Sequence, residues 1–206
     1  MFNPFLGKRY NVSNTLEKYT SILKIEKLGD CLYATASKSI ADGKVIAWFQ
    51  DGSECGPRAL GNRSILADPR RKDMKDILNN KVKHRENFSP FAPAVLSEFQ
   101  RMYFKLNIST PYMLMVADVV DVYKDKIPSV VHVDGTARLQ TVERELMPKF
   151  HKLITEFYNI TGIPMVINTS FNIKGEAIVE TPEQAINCFL QTQIDELFID
   201  DFIIRK

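Results

Sequence analysis

Apolar residues recur at helical spacing in several stretches of the chain. The clearest pattern covers 147–158, where Pro148 suits the first turn of a helix and Gly162 suits its end. Thr181 is followed three residues later by Gln184, which is a capping box that opens a second amphipathic helix. Weaker periodicity predicts helices over residues 15–25, 34–43 and 71–82.

Runs made largely of apolar residues predict strands between these helices. They lie at residues 44–50, 112–120, 130–133, 163–168 and 196–204. Strands and helices mix without a regular βαβ alternation. The pattern therefore predicts an α/β or α+β fold, a twisted mixed β-sheet flanked by helices, rather than a Rossmann fold.

Composition narrows the class of protein further. The chain has 206 residues, 45% of them hydrophobic, which suits one large domain or a compact domain with an N-terminal extension. A net charge of +2 gives no general signal for a polyanionic partner. The three cysteines are widely spaced, and no signal-peptide pattern or 18-residue apolar run occurs. We expect a cytoplasmic protein without disulfides, a zinc site or a membrane segment.

The segment CGPRALGNRS, residues 55–64, follows an apolar run and combines turn-forming residues with two arginines. Arg58 and Arg63 could grip a phosphate or carboxylate through paired hydrogen bonds. One structural salt bridge and one exposed arginine would explain the same residues. The segment alone leaves both interpretations open.

Three further polar clusters follow predicted strands or a predicted helix. They contribute Lys83 and Arg85 from KVKHRE, Arg138 from HVDGTARLQ, and, from NTSFN, Asn168, Ser170 and Asn172. Each cluster also has an ordinary structural explanation, such as turn chemistry by Asn and Ser side chains. If they converge on one pocket, they form an anion site.

Charge is distributed unevenly along the chain. Residues 58–85 carry nine Lys or Arg against three Asp, a local charge of +6. This excess suits a phosphate, a nucleotide or a nucleic acid, and a solvated helix face would also explain part of it. No aromatic residue lies in the stretch, which argues against RNA. Walker, G-x-G-x-x-G and paired-histidine motifs are absent, so we expect no metal held by this chain.

Four long motifs resemble the C-terminal domain of the O-carbamoyltransferases, the family of nodulation-factor and antibiotic carbamoyltransferases. They are WFQDGSECGPRALGNRSILADPR (48–70), NNKVKHRENFSPFAP (79–93), HVDGTARLQTV (132–142) and NTSFNIKGEAIVETPEQA (168–185). The resemblance implies a YrdC-like fold that binds carbamoyl phosphate and ATP and forms carbamoyl-adenylate. It also implies a separate Kae1-like domain or subunit, absent here, that transfers the carbamoyl group to an acceptor hydroxyl.

The resemblance also assigns roles to residues and limits to the chain. Its implied catalytic residues are Arg58, Lys83 and Arg138, and its implied binding residues are Arg63, Arg85, Asn168 and Ser170. ATP is expected to arrive with Mg²⁺, while nucleic acid and membranes are not expected partners. Residues 1–206 are expected to form this domain, with 1–43 as an N-terminal extension.

The chain departs from the family pattern at two places. Asp51-Gly52 stands where Gly-Arg is expected, and Ser89 stands where arginine is expected. Two alternatives therefore stay open: an RNA- or nucleotide-binding YrdC-like module, and a degenerate domain that binds anions without catalysis.

Overall fold

A mixed β-sheet organises the chain in the computed structural model, which describes residues 2–83 and 91–206. Within those residues the sheet has nine strands in the order β1-β9-β8-β2-β3-β7-β4-β6-β5. The strands are β1 Lys24–Lys27, β2 Ile46–Phe49, β3 Arg63–Ala67, β4 Ala92–Leu96, β5 Met115–Asp118, β6 Thr136–Val142, β7 Met165–Ser170, β8 Glu196–Ile199 and β9 Phe202–Arg205. The pairs β2–β8 and β4–β6 are parallel and the other neighbours are antiparallel. The prediction of a mixed sheet is confirmed.

Helices of very different length flank the sheet. They are α1 Val12–Leu16, α2 Leu32–Ala41, α3 Met74–Leu78, α4 Gln100–Tyr103, α5 Asp121–Lys124, α6 Pro148–Thr161 and α7 Pro182–Gln191. Helix α3 continues into a π-helical turn, Asn79–Lys83. Single 3₁₀ turns cover Glu17–Tyr19, Gly29–Cys31, Ser97–Phe99 and Pro128–Val130. Among the described residues, no helix combines the length and the apolar character needed to cross a membrane.

The two long amphipathic helices begin where their capping residues indicate, and the first also ends at its predicted glycine. Pro148 is the first residue of α6, and Gly162 ends it with a left-handed φ of 72°. At α7, the Thr181 hydroxyl accepts from the Gln184 backbone N–H and the Gln184 side chain accepts from the Thr181 N–H. Helix α6 packs against α2, where the Ser37 hydroxyl donates a buried 2.7 Å hydrogen bond to the Leu153 carbonyl.

Several predicted elements are wrong or need different bounds. The helix predicted over 15–25 ends early, because the chain from Lys24 onward pairs with β9 as an edge strand. No strand forms at 130–133, since the turn through Gly135 folds the chain back and the His132 N–H donates to the Thr136 carbonyl. The predicted strand 112–120 shortens to β5, and the segment 196–204 divides into β8 and β9.

Four strands were not predicted at all: β1, β3, β4 and β6. Strand β3 lies in the centre of the sheet and begins at Arg63, a charged residue that is fully buried. Strand β4 contains Pro93, which lacks the N–H that a strand normally contributes to its neighbours. Strands β3 and β4 were therefore missed because a charged residue and a proline are unusual in buried strands.

Candidate functional site

The arginine turn connects β2 to β3 and is held in shape by a carboxylate. Glu54 Oε1 accepts hydrogen bonds from the backbone N–H groups of three residues of the turn, at 2.7, 2.8 and 3.2 Å: Leu60, Asn62 and Arg63. Gly61 has a φ of 120°, and an added Cβ there would lie 2.3 Å from the Phe150 ring. The turn therefore packs closely on α6 and presents the exposed Arg58 outward.

A small cavity of about 90 Å³ lies beneath Arg58. It brings together the arginine turn, the starts of β4 and β6, and the end of β7. Its lining residues are Pro57, Arg58, Ala59, Phe91, Ala92, Met113, Arg138, Asn168, Thr169 and Ser170. Since a water molecule occupies about 30 Å³, the cavity has room for a small anion. Four of the residues singled out in the sequence, Arg58, Arg138, Asn168 and Ser170, thus share one cavity although they are far apart in the chain.

Lys83 is buried at the end of the π-helical turn and does not line the small cavity, but it contacts Ser170, which does. Its ammonium donates to the carbonyl and hydroxyl of Ser170 and, at 2.7 Å, to Asn172 Oδ1. The Ser170 hydroxyl in turn donates to Asn172 Oδ1 at 2.7 Å. These bonds fix a cation beside Ser170, a residue of the cavity wall.

A larger cavity of about 430 Å³ adjoins the small one, and both are lined by Pro57 and Ser170. Its size falls within the range of about 300–1,000 Å³ that small-molecule sites occupy. Its other lining residues are Ser53, Glu54, Gly56, Asn172, Glu176, Ala177, Ile178, Val179 and Glu180. The two cavities together offer a small cationic compartment next to a wider one.

Arg63 lies outside these cavities, although it belongs to the same motif as Arg58. It is fully buried, and its guanidinium stacks on the Phe49 ring with 3.5 Å between the guanidinium carbon and the ring centroid. It donates to the carbonyls of Gln50 at 2.7 Å and of Asp51 at 3.0 Å. Burial lowers the pKa of Arg63, while the nearby carboxylates of Glu54 and Glu180 raise it. The structure therefore corrects the assignment of Arg63 to the pocket: its side chain ties the base of the turn together.

Some residues named from the sequence lie outside the described structure, and two residues that were not assigned to the site lie next to it. Arg85 and Ser89 lie outside the described residues. Asn172 was noted in the sequence but not assigned to the site, and it directly contacts Lys83. Gln140 was missed, although it follows Arg138 by two residues on the same face of β6.

Gln140 and Asn168 form a buried amide pair behind the small cavity. Asn168 Nδ2 donates to Gln140 Oε1 at 2.8 Å and to the Ala59 carbonyl at 3.1 Å. Gln140 Nε2 donates to the Leu60 carbonyl at 2.8 Å. Asn168 Oδ1 is buried and accepts no hydrogen bond from the residues that the structure describes.

Several basic side chains of residues 58–85, the stretch with the local charge excess, make intramolecular contacts. Arg70 pairs with Asp68, Arg71 with Asp73 and Lys81 with Asp195, at 2.6–2.7 Å. Lys75 donates to the Val131 carbonyl at 2.7 Å. Within residues 2–83 and 91–206, no three His, Cys, Asp or Glu side chains come together as a metal site.

Comparison with known proteins decides the family. The family model described as the carbamoyltransferase C-terminus matches residues 37–206. The chain belongs to the carbamoyltransferase family. The expected resemblance is confirmed, and the four motifs correspond to the C-terminal domain of that family.

Two curated relatives of this carbamoyltransferase domain are nodulation proteins. NolNO of Sinorhizobium fredii is 43% identical, covering 100% of this chain and 30% of its own length. NolO of Bradyrhizobium diazoefficiens is 41% identical, covering 100% of this chain and 38% of its own length. The chain thus spans about a third of the length of these relatives.

Solved structures with a similar fold include Sua5 and HypF. Sua5 of P. abyssi, complexed with L-threonine, has a TM-score of 0.54 at 17% identity, covering 82% of this chain and 46% of that one. Full-length HypF, in its phosphate- and nucleotide-bound form, has a TM-score of 0.53 at 14% identity, covering 89% of this chain and 22% of that one. At these identities the likeness shows the fold alone, and it confirms a YrdC-like architecture.

Proposed function

We propose that this domain binds carbamoyl phosphate and ATP and forms carbamoyl-adenylate, which a Kae1-like partner uses to carbamoylate a hydroxyl group. The observation that supports this most strongly is the small cavity lined by Arg58, Arg138, Asn168 and Ser170 in a carbamoyltransferase domain. The cytoplasm, where ATP is available, is the proposed location.

Each residue at the cavity is suited to a different part of the ligand. Arg58 and Arg138 offer planar guanidinium groups, which match the oxygens of a phosphate or carboxylate. Asn168 and Ser170 are neutral and suit the carbamoyl amide. Lys83 is held as a compact charge against Ser170 and Asn172, which line the cavities, and from there it can oppose charge that develops on a phosphoryl group.

The proposed chemistry balances with the two substrates and water. Water releases phosphate from carbamoyl phosphate and leaves carbamate, whose oxygen attacks the α-phosphorus of ATP. The bond between the α-phosphorus and its bridging oxygen breaks, and pyrophosphate leaves. Reactions of this kind depend mainly on positioning and on cations around the phosphates. Mg²⁺ would enter with the ATP phosphates and neutralise part of their charge.

Calorimetric titration with carbamoyl phosphate and with ATP tests the binding part of the proposal. We expect the wild-type chain to bind carbamoyl phosphate, and Arg58→Met to weaken that binding roughly tenfold to hundredfold, as for loss of a charge-assisted hydrogen bond. Arg101→Met is the matched control, since Arg101 is also exposed but lies on α4 and lines neither cavity.

Two results would contradict this account. Failure of the wild-type chain to bind either ligand would favour a degenerate domain. Tight binding of single-stranded RNA that competes with ATP would favour a nucleic-acid module, against the ion pairs that occupy the basic segment.

A further inference from the structure

The buried pair of amides behind the small cavity has a fixed orientation, and the carbonyls of the arginine turn set it. Gln140 Nε2 must face the Leu60 carbonyl, because an amide oxygen there would place two acceptors 2.8 Å apart. The same bond turns Gln140 Oε1 toward Asn168. Gln140 therefore presents an acceptor, and only an acceptor, to the neighbouring side chain.

This arrangement determines the orientation of Asn168. Its Nδ2 has two hydrogens, and both have acceptors, Gln140 Oε1 at 2.8 Å and the Ala59 carbonyl at 3.1 Å. A flipped amide would turn its oxygen toward both of these acceptors. Asn168 Oδ1 is thereby left over, buried, with no donor among the described residues, on a residue of the cavity wall.

A buried acceptor without a donor costs free energy until a ligand supplies one. The cavity also has two guanidinium groups, which attract an anion. The complementary ligand is therefore an anion that carries an N–H group, a description that carbamoyl phosphate and carbamate fit. Acetyl phosphate carries the same anionic group but has a methyl where carbamoyl phosphate has its amino group.

We propose that Gln140 is a positioning residue that, by fixing the Asn168 amide, makes the cavity select a carbamoyl group over an acyl group of the same shape. The inference rests on the proposed function and adds to it a determinant of specificity. Gln140 acts through Asn168 and through the carbonyls of the arginine turn, and is itself fully buried.

The test compares the dissociation constants of carbamoyl phosphate and acetyl phosphate, measured by calorimetry. For the wild-type chain we expect carbamoyl phosphate to bind roughly tenfold to hundredfold more tightly, the range for one satisfied buried hydrogen bond. In Gln140→Met, which keeps the length of the side chain, the ratio should fall to near one. Affinity for acetyl phosphate should stay within about twofold, since Arg58 and Arg138 remain.

Gln100→Met is the matched control. Gln100 is also buried and donates to two backbone carbonyls, those of Leu106 and Ile108, but it lines neither cavity. Its substitution removes a comparable pair of hydrogen bonds and should leave the ratio of affinities unchanged.

The outcomes separate this inference from the proposed function. Equal wild-type affinity for the two phosphates would overturn the role of the amide pair and leave anion binding intact. Parallel weakening of both ligands in Gln140→Met would make Gln140 structural only and would also overturn it. Failure of the wild-type chain to bind carbamoyl phosphate would overturn the proposed function and this inference with it.

An NMR measurement on the wild-type chain tests the fixed orientation of the Asn168 amide even if Gln140→Met does not fold. The side-chain N–H₂ group of Asn168 should exchange slowly with solvent by NMR, because both of its hydrogens are bonded inside the protein. Rapid exchange of that group would show that the amide is not fixed and would overturn the inference.

Discussion

Two arginines of one short motif have opposite roles in this molecule. Arg58 is exposed and lines the small cavity, whereas Arg63 is fully buried and binds backbone carbonyls. The sequence raised both possibilities for the pair but could not assign them. Which arginine is exposed depends on how the turn packs against Phe49 of β2. The same limit applies to Gln140, whose role depends on Leu60, 80 residues away in the chain.

The difference between the two arginines predicts different effects of the same substitution. Arg63→Met should lower the free energy of unfolding by roughly 2–4 kcal/mol, since it leaves buried carbonyls without donors. Arg58→Met should change that free energy by less than about 0.5 kcal/mol, as for an exposed residue. Urea denaturation followed by circular dichroism measures both. Equal stability of the two variants would contradict the structural assignment of Arg63.

Among the secondary-structure elements, helices with clear capping residues were predicted from the sequence, whereas strands without a local signal were not. Helix α6 has a proline at its start and a glycine at its end, and α7 has a complete capping box, so neither depended on distant contacts. The formation of strands β3 and β4 depends on pairing with a neighbouring strand on each side. Most of those partner strands are distant in sequence. Pairing with them outweighs the unfavourable local signal of a buried arginine in β3 and of a proline in β4.

The turn between β8 and β9 gives a prediction that depends on pH. Asp200 adopts a left-handed φ of 44°, and burial raises the pKa of its carboxyl above the usual value of 3.8. The folded state therefore disfavours the carboxylate, so the penalty is absent at low pH and grows as the pH rises through 3.8 and the folded pKa. Asn tolerates the same backbone conformation, so Asp200→Asn should stabilise the chain near pH 7 but not near pH 3.

Urea denaturation at several pH values between these limits measures the effect. Asp201→Asn is the control, because Asp201 is exposed in the same turn and its substitution should change stability little at either pH. A loss of stability in Asp200→Asn near pH 7 would contradict the interpretation and indicate that the carboxylate makes a favourable contact.

At the scale of the whole molecule, the family motifs carried more information than the hydrophobic pattern. They identified the carbamoyltransferase C-terminal domain and its YrdC-like fold, both of which the comparisons confirm. The boundary predicted at residue 43 and the Kae1-like partner stay predictions. Residues before that boundary contribute β1 and α2 to the described structure, and the relatives are about three times as long as this chain.

Exchange of labelled pyrophosphate into ATP tests the central claim most directly, because formation of carbamoyl-adenylate releases pyrophosphate reversibly. The purified chain should catalyse exchange that requires carbamoyl phosphate or carbamate and Mg²⁺, without carbamoylating any acceptor. Lys83→Met should lower the exchange rate about a hundredfold or more, as for removal of a preorganised charge at a transferring group. Lys72→Met, which removes an exposed charge from the same basic segment, should not. Exchange that is absent from the wild-type chain, or unchanged in Lys83→Met, would contradict the account.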